Sequence, residues 1–264
     1  MNIVAQIGYS QMETWAARVY GDAKPVHMED IPSLPKHDWM PVGTVEFCRA
    51  AMAHQRIDEP SVSTYPDSLM PFLGRTVWAS TAIQVRISKR PVFVKPMQAK
   101  RFTGFVWPHG GLDQQEFQGI PDHSPVWCSQ VVSFASEWRF YVYRGEVVGA
   151  GRYDDGADDA PVPDQETVLE MVDQYQRNGA PAGYGLDVGV DQGRRTLLVE
   201  VNDGWALGLY KGTCSPQDYL RLLEARWLEI GSVAESGKSK DQQWSVGSNP
   251  TASANICQKN VVFF

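Results

Sequence analysis

With 264 residues, 43% of them hydrophobic and 21% charged, the chain can bury a full core, as one large domain or as two small lobes. A formal net charge of −7 argues against nucleic acid as the main partner, because phosphate backbones are held chiefly by lysine and arginine. No stretch approaches the roughly 20 apolar residues of a membrane span, the opening MNIVAQIGYSQMETW lacks a secretory pattern, and Cys48, Cys128, Cys214 and Cys257 form no CxxC pair; a cytoplasmic protein without a membrane partner, zinc knuckle or disulfide framework is expected.

Residues 1 to about 75 are rich in proline and tryptophan and carry no chemical motif. Residues 2–7 read as a strand. Residues 44–55 read as a helix capped by Thr44, with Phe47, Cys48, Ala51 and Met52 on one face. This segment is expected to form a lobe beside the active one. Residues 81–87 alternate as a strand, 88–91 (SKRP) turn, and 91–96 form a short apolar strand that carries Lys95 near its end. A basic loop, MQAKRFTG, follows. A strand-end lysine before a loop of donors suits an anionic ligand, although a lone lysine there is more often a solvated charge. Residues 126–133 read as another strand, with Gln130 in its middle.

A hairpin turning on Arg144-Gly145 comes next. Its simplest register sets Tyr143 against Glu146, Arg139 against Ala150 and Glu137 against Arg152. Glu137, Arg139 and Arg152 then share one face, while Trp138, Phe140 and Val142 take the core side. On an exposed sheet these charges amount to a cross-strand ion pair well under ~1 kcal/mol. Facing a cleft, the arginines clamp phosphate or carboxylate oxygens in pairs. Residues 154–164 form an acidic connection. Asp164 caps a helix whose period is set by Val168, Leu169, Met171, Val172 and Tyr175, and Asn178-Gly179 with Pro181 stops it.

The chemistry concentrates in the next two strands, 183–191 (GYGLDVGVD) and 195–204 (RTLLVEVNDG), joined by a turn at 191–194. Alternation puts Tyr184, Leu186, Val188 and Val190 on one face and Asp187 on the other, and it puts Glu200 and Asn202 together. If Asp187 lies across from Glu200 or Asn202 rather than Val199, three oxygen donors converge into a site for a hard divalent cation. The chain then returns past this point and offers Lys211. A last helix starts at Ser215-Pro216, turns Tyr219, Leu222, Leu223 and Trp227 inward, and is expected to end near Gly231. Residues 232–264 have no period and read as a disordered tail. Gly237-Lys238-Ser239 is not a P-loop, since no strand precedes it.

Taken in order, FVKP around Lys95, EWRFYVYRGEVVGAGRYDD from Glu137, GLDVGV around Asp187 and VEVNDG around Glu200 resemble the ATP-grasp superfamily, and most of all a small arginine- and lysine-rich branch found in phages and bacteria. The resemblance spans about 75–212. It implies an α+β ATP-grasp fold: two α+β subdomains hold the nucleotide between antiparallel sheets and follow a small N-terminal α/β lobe. The corresponding division is 1–75 as the N-terminal lobe, 76–231 as the ATP-grasp domain and 232–264 as the tail. It further implies that Lys95 contacts the α- and β-phosphates and that Gln130, Val131 and Val132 line the adenine. Asp187, Glu200 and Asn202 would hold Mg²⁺, while Arg139, Arg152 and Lys211 would face the transferred phosphate and its acceptor. The glycine-rich phosphate loop of the family is replaced here by MQAKRFTG, where Lys100 and Thr103 would serve. The additional phosphate-binding lysine has no match, and Arg75 or Arg86 would stand in for it.

The expected chemistry is ATP-dependent ligation of a carboxylate to an amine, on small-molecule or peptide substrates, through an acyl phosphate. It fits the absence of any Ser/His/Asp or Cys/His arrangement. A phosphotransferase and a non-catalytic ATP-binding module are the competing readings.

Overall fold

In the computed structural model, which describes residues 1–61, 63–97, 102–108, 112–156 and 159–243, three β-sheets organise the chain. The first is parallel and ordered β2-β1-β3, from β1 (Asn2–Gln6), β2 (Lys24–Val26) and β3 (Trp39–Val42). Parallel neighbours need a crossover, and α1 (Met12–Tyr20) supplies the one between β1 and β2. Helix α2 (Val45–Gln55) forms where expected: the Thr44 hydroxyl accepts from the Phe47 N–H at 3.2 Å, and Phe47, Cys48, Ala51 and Met52 are buried.

The second sheet is antiparallel, ordered β4-β7-β5-β6, from β4 (Val77–Thr81), β5 (Val92–Pro96), β6 (Phe105–Trp107) and β7 (Pro125–Ser129). Val92, Val94, Phe105, Val126 and Cys128 pack it against Phe102 and Phe117. Two short helices accompany it, α3 (Ala82–Arg86) and α4 (Leu112–Gln118). The strand expected over 81–87 is therefore corrected. Thr81 ends β4 and caps α3, its N–H donating to Gln84 Oε1 at 3.3 Å in a capping box. Alternation over seven residues does not exclude a helix, and local capping decides between the two. Strand β7 also stops at Ser129, so Gln130 and the next three residues form the link to the third sheet.

That third sheet carries the long strands β8 (Phe134–Tyr143), β9 (Glu146–Arg152), β10 (Gly183–Asp191) and β11 (Thr196–Asp203), ordered β11-β10-β8-β9 and antiparallel throughout. One face is apolar. Val142, Tyr184, Leu186, Val188, Leu198 and Val201 pack against Val168, Met171, Val172 and Tyr175 of α5 (Gln165–Arg177), and against Tyr65, Leu69 and Leu73. Helix α5 is capped as read, Asp164 Oδ1 accepting from Thr167 N at 2.9 Å. The opposite face presents the polar strand residues to the space between the second and third sheets.

The β8–β9 hairpin departs from its simplest register. Tyr143 opposes Glu146 as expected, but a bulge at Val148 sets Tyr141 against Gly149, Arg139 against Gly151 and Trp138 against Arg152. The bulge accompanies a close approach: Gly149 bridges Cys214, and a side chain there would meet Cys214 Cβ and Thr213 O at 2.7 Å.

Helix α6 (Pro216–Gln243) runs past Gly231, which corrects the tail expected from residue 232: its first part, to Gln243, is helical. Glycine alone does not end a helix when the residues after it are competent helix formers; the residues beyond Gln243 lie outside the described ones. Tyr219, Leu222, Leu223, Trp227 and Ile230 of α6 share one core with Val4, Ala5, Ala16, Ala17, Phe47 and Ala51, so the N-terminal sheet and the last helix are packed together.

Candidate active site

The polar face of the large sheet assembles the site, and a single irregularity fixes its register. From Val190↔Thr196 to Val188↔Leu198 the β10–β11 pairing is regular, and continued unchanged it would set Asp187 against Val199. A β-bulge at Val199 intervenes, so Asp187 pairs with Glu200, Leu186 with Val201 and Gly185 with Asn202. Since side chains alternate, one extra residue moves everything beyond it to the other face. Glu200 and Asn202 thereby join Asp187. The bulge is held by Arg75, whose guanidinium donates to the carbonyls of Leu198 (2.7 Å), Val199 (3.0 Å) and Leu73 (3.1 Å). Arg75→Met removes the donors of a largely buried charge, and we expect it to lower stability by about 3 kcal/mol, with faster hydrogen exchange along β11; urea denaturation of the purified variant is the check.

Within this cluster every charge is paired. Arg139 donates from Nε to Asp187 Oδ1 and from Nη2 to Asp187 Oδ2, each at 2.7 Å, a two-pronged pair with both residues buried. Lys95, at the end of β5 in the second sheet, reaches across to Glu200 Oε2 and lies 4.8 Å over the Tyr65 ring. Asn202 Nδ2 bridges Asp187 Oδ2 at 2.9 Å and Glu200 Oε1 at 3.1 Å. Burial pushes the Asp187 carboxyl up against the pull of Arg139, while Arg139, despite burial, is held more firmly charged by Asp187. Two parallel short N–H···O bonds define a guanidinium–carboxylate contact, and the ionised state of both is the one the geometry supports. At Glu200 burial is outweighed by the Lys95 ammonium and the donors from Lys95 and Asn202, which bring its pKa below the ordinary carboxylate value.

Around the pair stands an aromatic wall. Tyr153 and Tyr210 stack at 5.1 Å and 12°, and the Arg139 guanidinium lies 5.1 Å from the Tyr210 ring and 5.8 Å from that of Tyr153. Tyr153 OH donates to Glu137 Oε2 at 2.8 Å, and burial raises the pKa of that carboxyl. The returning segment is laced over the same face: Tyr141 OH accepts from Tyr210 N at 3.0 Å and donates to Gly208 O at 3.2 Å. Asp203 is structural, receiving two 2.7 Å bonds from Arg226 of α6. A cavity of about 970 Å³ opens between the sheets, lined by Lys95, Arg139, Glu200 and Asn202 from the cluster and by Tyr9, Glu13 and Arg49 from the N-terminal lobe.

Of the residues singled out in the sequence, Lys95, Arg139, Asp187, Glu200 and Asn202 are brought together. Arg152 is not. The bulge at Val148 sets it across from Trp138, away from Arg139's face, and it pairs with Asp154. Lys211 is exposed at a turn and makes no hydrogen bond or ion pair among the described residues. Gln130 is tied to Thr76, its N–H donating to Thr76 O at 3.1 Å and its Oε1 accepting from Thr76 N at 3.0 Å. With Val131, which is exposed, and Val132, it forms the link between the two antiparallel sheets. Thr103 is exposed beside Gly104, which lines the cavity; Lys100 lies outside the described residues. Neither Arg75 nor Arg86 lines the cavity: Arg75 holds the bulge, and Arg86 pairs with Asp122 and the Phe117 carbonyl. Among the described residues no three of His, Cys, Asp and Glu gather around one point, so the donor set is two carboxylates and an amide.

A family model described as an ATP-grasp domain, the second family of its clade, matches residues 72–222. No curated protein matches the sequence. Among solved structures, the D-alanine–D-alanine ligase of Bacillus anthracis superposes with a TM-score of 0.52 at 13% identity, over 90% of this chain and 99% of that one. D-cycloserine synthetase gives 0.53 at 14% identity, over 87% and 100%. N5-carboxyaminoimidazole synthetase from Staphylococcus aureus gives 0.50 at 11%, over 87% and 77%. At these identities the likeness establishes the fold.

Proposed function

Since the chain belongs to this family of ATP-grasp domains, we propose that it is an ATP- and Mg²⁺-dependent ligase that joins a carboxylate to an amine. The observation that carries this reading is the bulged register that puts Asp187, Glu200 and Asn202 on one face, opposite Lys95 of the facing sheet. The donor set fits the metal: carboxylate oxygens and an amide are the ligands of a hard cation that keeps part of its shell for phosphate. The cavity, about 970 Å³, is at the upper end for small-molecule sites and accommodates a nucleotide beside a second substrate. When bound, Mg²⁺ would draw charge from the phosphate oxygens.

The chain's own residues supply the rest. Glu200 and Asp187 would hold the ion, with Asn202 turning its amide so that the oxygen rather than Nδ2 faces it. Lys95, released from Glu200, would meet the α- and β-phosphates. Gln130, Val131 and Val132, on the link between the sheets, would border the adenine, with Thr103 and Lys100 on the phosphate side. Arg139 would face the transferred phosphate and its acceptor. Arg152 and Lys211 would reach the acceptor only by leaving the positions described above. In the proposed reaction the substrate carboxylate attacks the γ-phosphorus, the bond to the β-phosphate bridging oxygen breaks and ADP leaves; an amine then displaces phosphate to form the amide. No protein nucleophile is needed, and positioning with charge neutralisation carries the catalysis.

The test is to incubate the protein with Mg-ATP, pooled amino acids and amines, and to follow ADP, phosphate and new amide masses, with EDTA as control. ADP and phosphate released together with an amide product support the ligase. A stable phosphorylated product supports a phosphotransferase instead. Binding of Mg-ATP without ADP formation supports a non-catalytic module.

A further inference from the structure

Lys95 and Glu200 come from different walls of the cavity. Lys95 stands near the end of β5 in the second sheet and Glu200 on β11 in the third, and their ion pair spans the space between. Both side chains keep some exposure, 13% and 26%, so the pair is open to a ligand. The neighbouring Arg139–Asp187 pair, at 8% and 3%, is closed by comparison.

The two cations of the cluster balance its two carboxylates, and each carboxylate oxygen already accepts a bond. Arg139 holds Asp187 Oδ1 and Oδ2, Lys95 holds Glu200 Oε2, and Asn202 Nδ2 reaches Glu200 Oε1 at 3.1 Å. A divalent ion bound here must displace a donor. Lys95 is the one able to leave, because a single ammonium on a flexible stem yields more readily than a buried, two-pronged guanidinium. It also has to leave, since an ammonium and a divalent cation on one carboxylate repel each other at close range. There is room beside its stem: Gly104 lines the cavity without a side chain, and a Cβ there would stand 3.3 Å from Lys95 Cβ. The anionic oxygens of a triphosphate are what would take Lys95 over.

We propose that Lys95 holds the metal's place on Glu200 and admits a divalent cation only together with the triphosphate that draws Lys95 away. This rests on the ATP–Mg²⁺ reading above and adds a gate to it. Against a bare cation the ammonium competes for the carboxylate. A metal-free triphosphate would pull Lys95 off and leave its own charge facing Glu200 unneutralised. Each ligand therefore prepares the site for the other, with Lys95 as the coupling element.

The test titrates Mn²⁺, which takes the same oxygen ligands as Mg²⁺, by electron paramagnetic resonance without nucleotide, a readout independent of turnover. Lys95→Met keeps an apolar stem over the Tyr65 ring and removes the charge. We expect it to bind Mn²⁺ about 10- to 100-fold more tightly than wild type, the range of ordinary coupling between two ligands. Lys95→Gln behaves likewise, Lys95→Arg stays near wild type, and Lys95→Met/Glu200→Gln loses the gain. Thermal melts establish that each variant is folded, and fluorescence of a labelled ATP analogue with Mg²⁺ follows nucleotide binding. If the folded neutral variants bind Mn²⁺ no more tightly than wild type while Glu200→Gln weakens Mg-ATP binding, the gate falls and the metal site stands. If neither neutral variant folds, the pair is a structural tie and the gate falls with it. If Glu200→Gln alters neither Mn²⁺ nor Mg-ATP binding, gate and metal site fall together.

Discussion

On the ligase reading, we expect Glu200→Gln to reduce Mg-ATP turnover by ~10³-fold or more, on the scale of removing a group aimed at the charge developing in the transition state, while the fold is kept at a cost of about 1 to 3 kcal/mol. The substitution keeps shape and removes charge. Glutamine fills the same space and keeps one carbonyl oxygen as acceptor for Lys95 or Asn202, the partners of the two Glu200 oxygens, while its NH2 loses the other bond. Lys95 keeps its position over the Tyr65 ring, and the repulsion between Glu200 and the buried Asp187 disappears. What is lost is half the negative charge available to a divalent ion. ADP formation, Mg²⁺ titration and a thermal melt on one preparation decide the matter, and full turnover in a folded Glu200→Gln protein would remove the metal site and the ligase with it.

Arg139 and Asp187 behave differently, because each is the other's counter-ion. Arg139→Met strands a carboxylate that is 2% exposed, and we expect a loss of about 3 to 5 kcal/mol in stability. Asp187→Asn strands the guanidinium, with a similar if smaller cost. The double variant Arg139→Met/Asp187→Leu recovers part of the loss, since two charges leave together and apolar groups replace them. Urea denaturation of wild type, Arg139→Met, Asp187→Leu and the double variant closes the cycle; additivity within about 0.5 kcal/mol would mean that the pair is uncoupled. The same pairing makes Asp187→Asn a poorer probe of the proposed metal site than Glu200→Gln, for any lost activity there would mix lost ligation with lost fold.

Much of this was readable in the chain. The alternation of GYGLDVGVD and VEVND sorts Asp187 from Leu186 and Glu200 from Val201 without any structure, because a half-buried strand must alternate. Helices α2 and α5 are legible through Thr44 and Asp164, whose caps are local. The bulge at Val199 is not legible, since its partner, Arg75, lies 123 residues before Leu198 and nothing local marks the extra residue. A second bulge, at Val148, turned Arg152 away from the face that a regular hairpin would have given it. Helix α3 was hidden by seven alternating residues. Glu13 was hidden more deeply. It belongs to an ordinary amphipathic helix, and its place at the cavity comes from its bond to Leu209, which only the folded chain sets beside it.

The shared core of β1, α1 and α6 has a consequence for biosynthesis. On the ribosome β1 and α1 emerge well before the apolar side chains that seal them, Leu222, Trp227 and Ile230, have been translated. The nascent lobe must wait, with Ala5, Ala16 and Ala17 unsealed on that side, until the intervening sheets and α6 have been made, and that interval is when it is most open to chaperones and to misassembly.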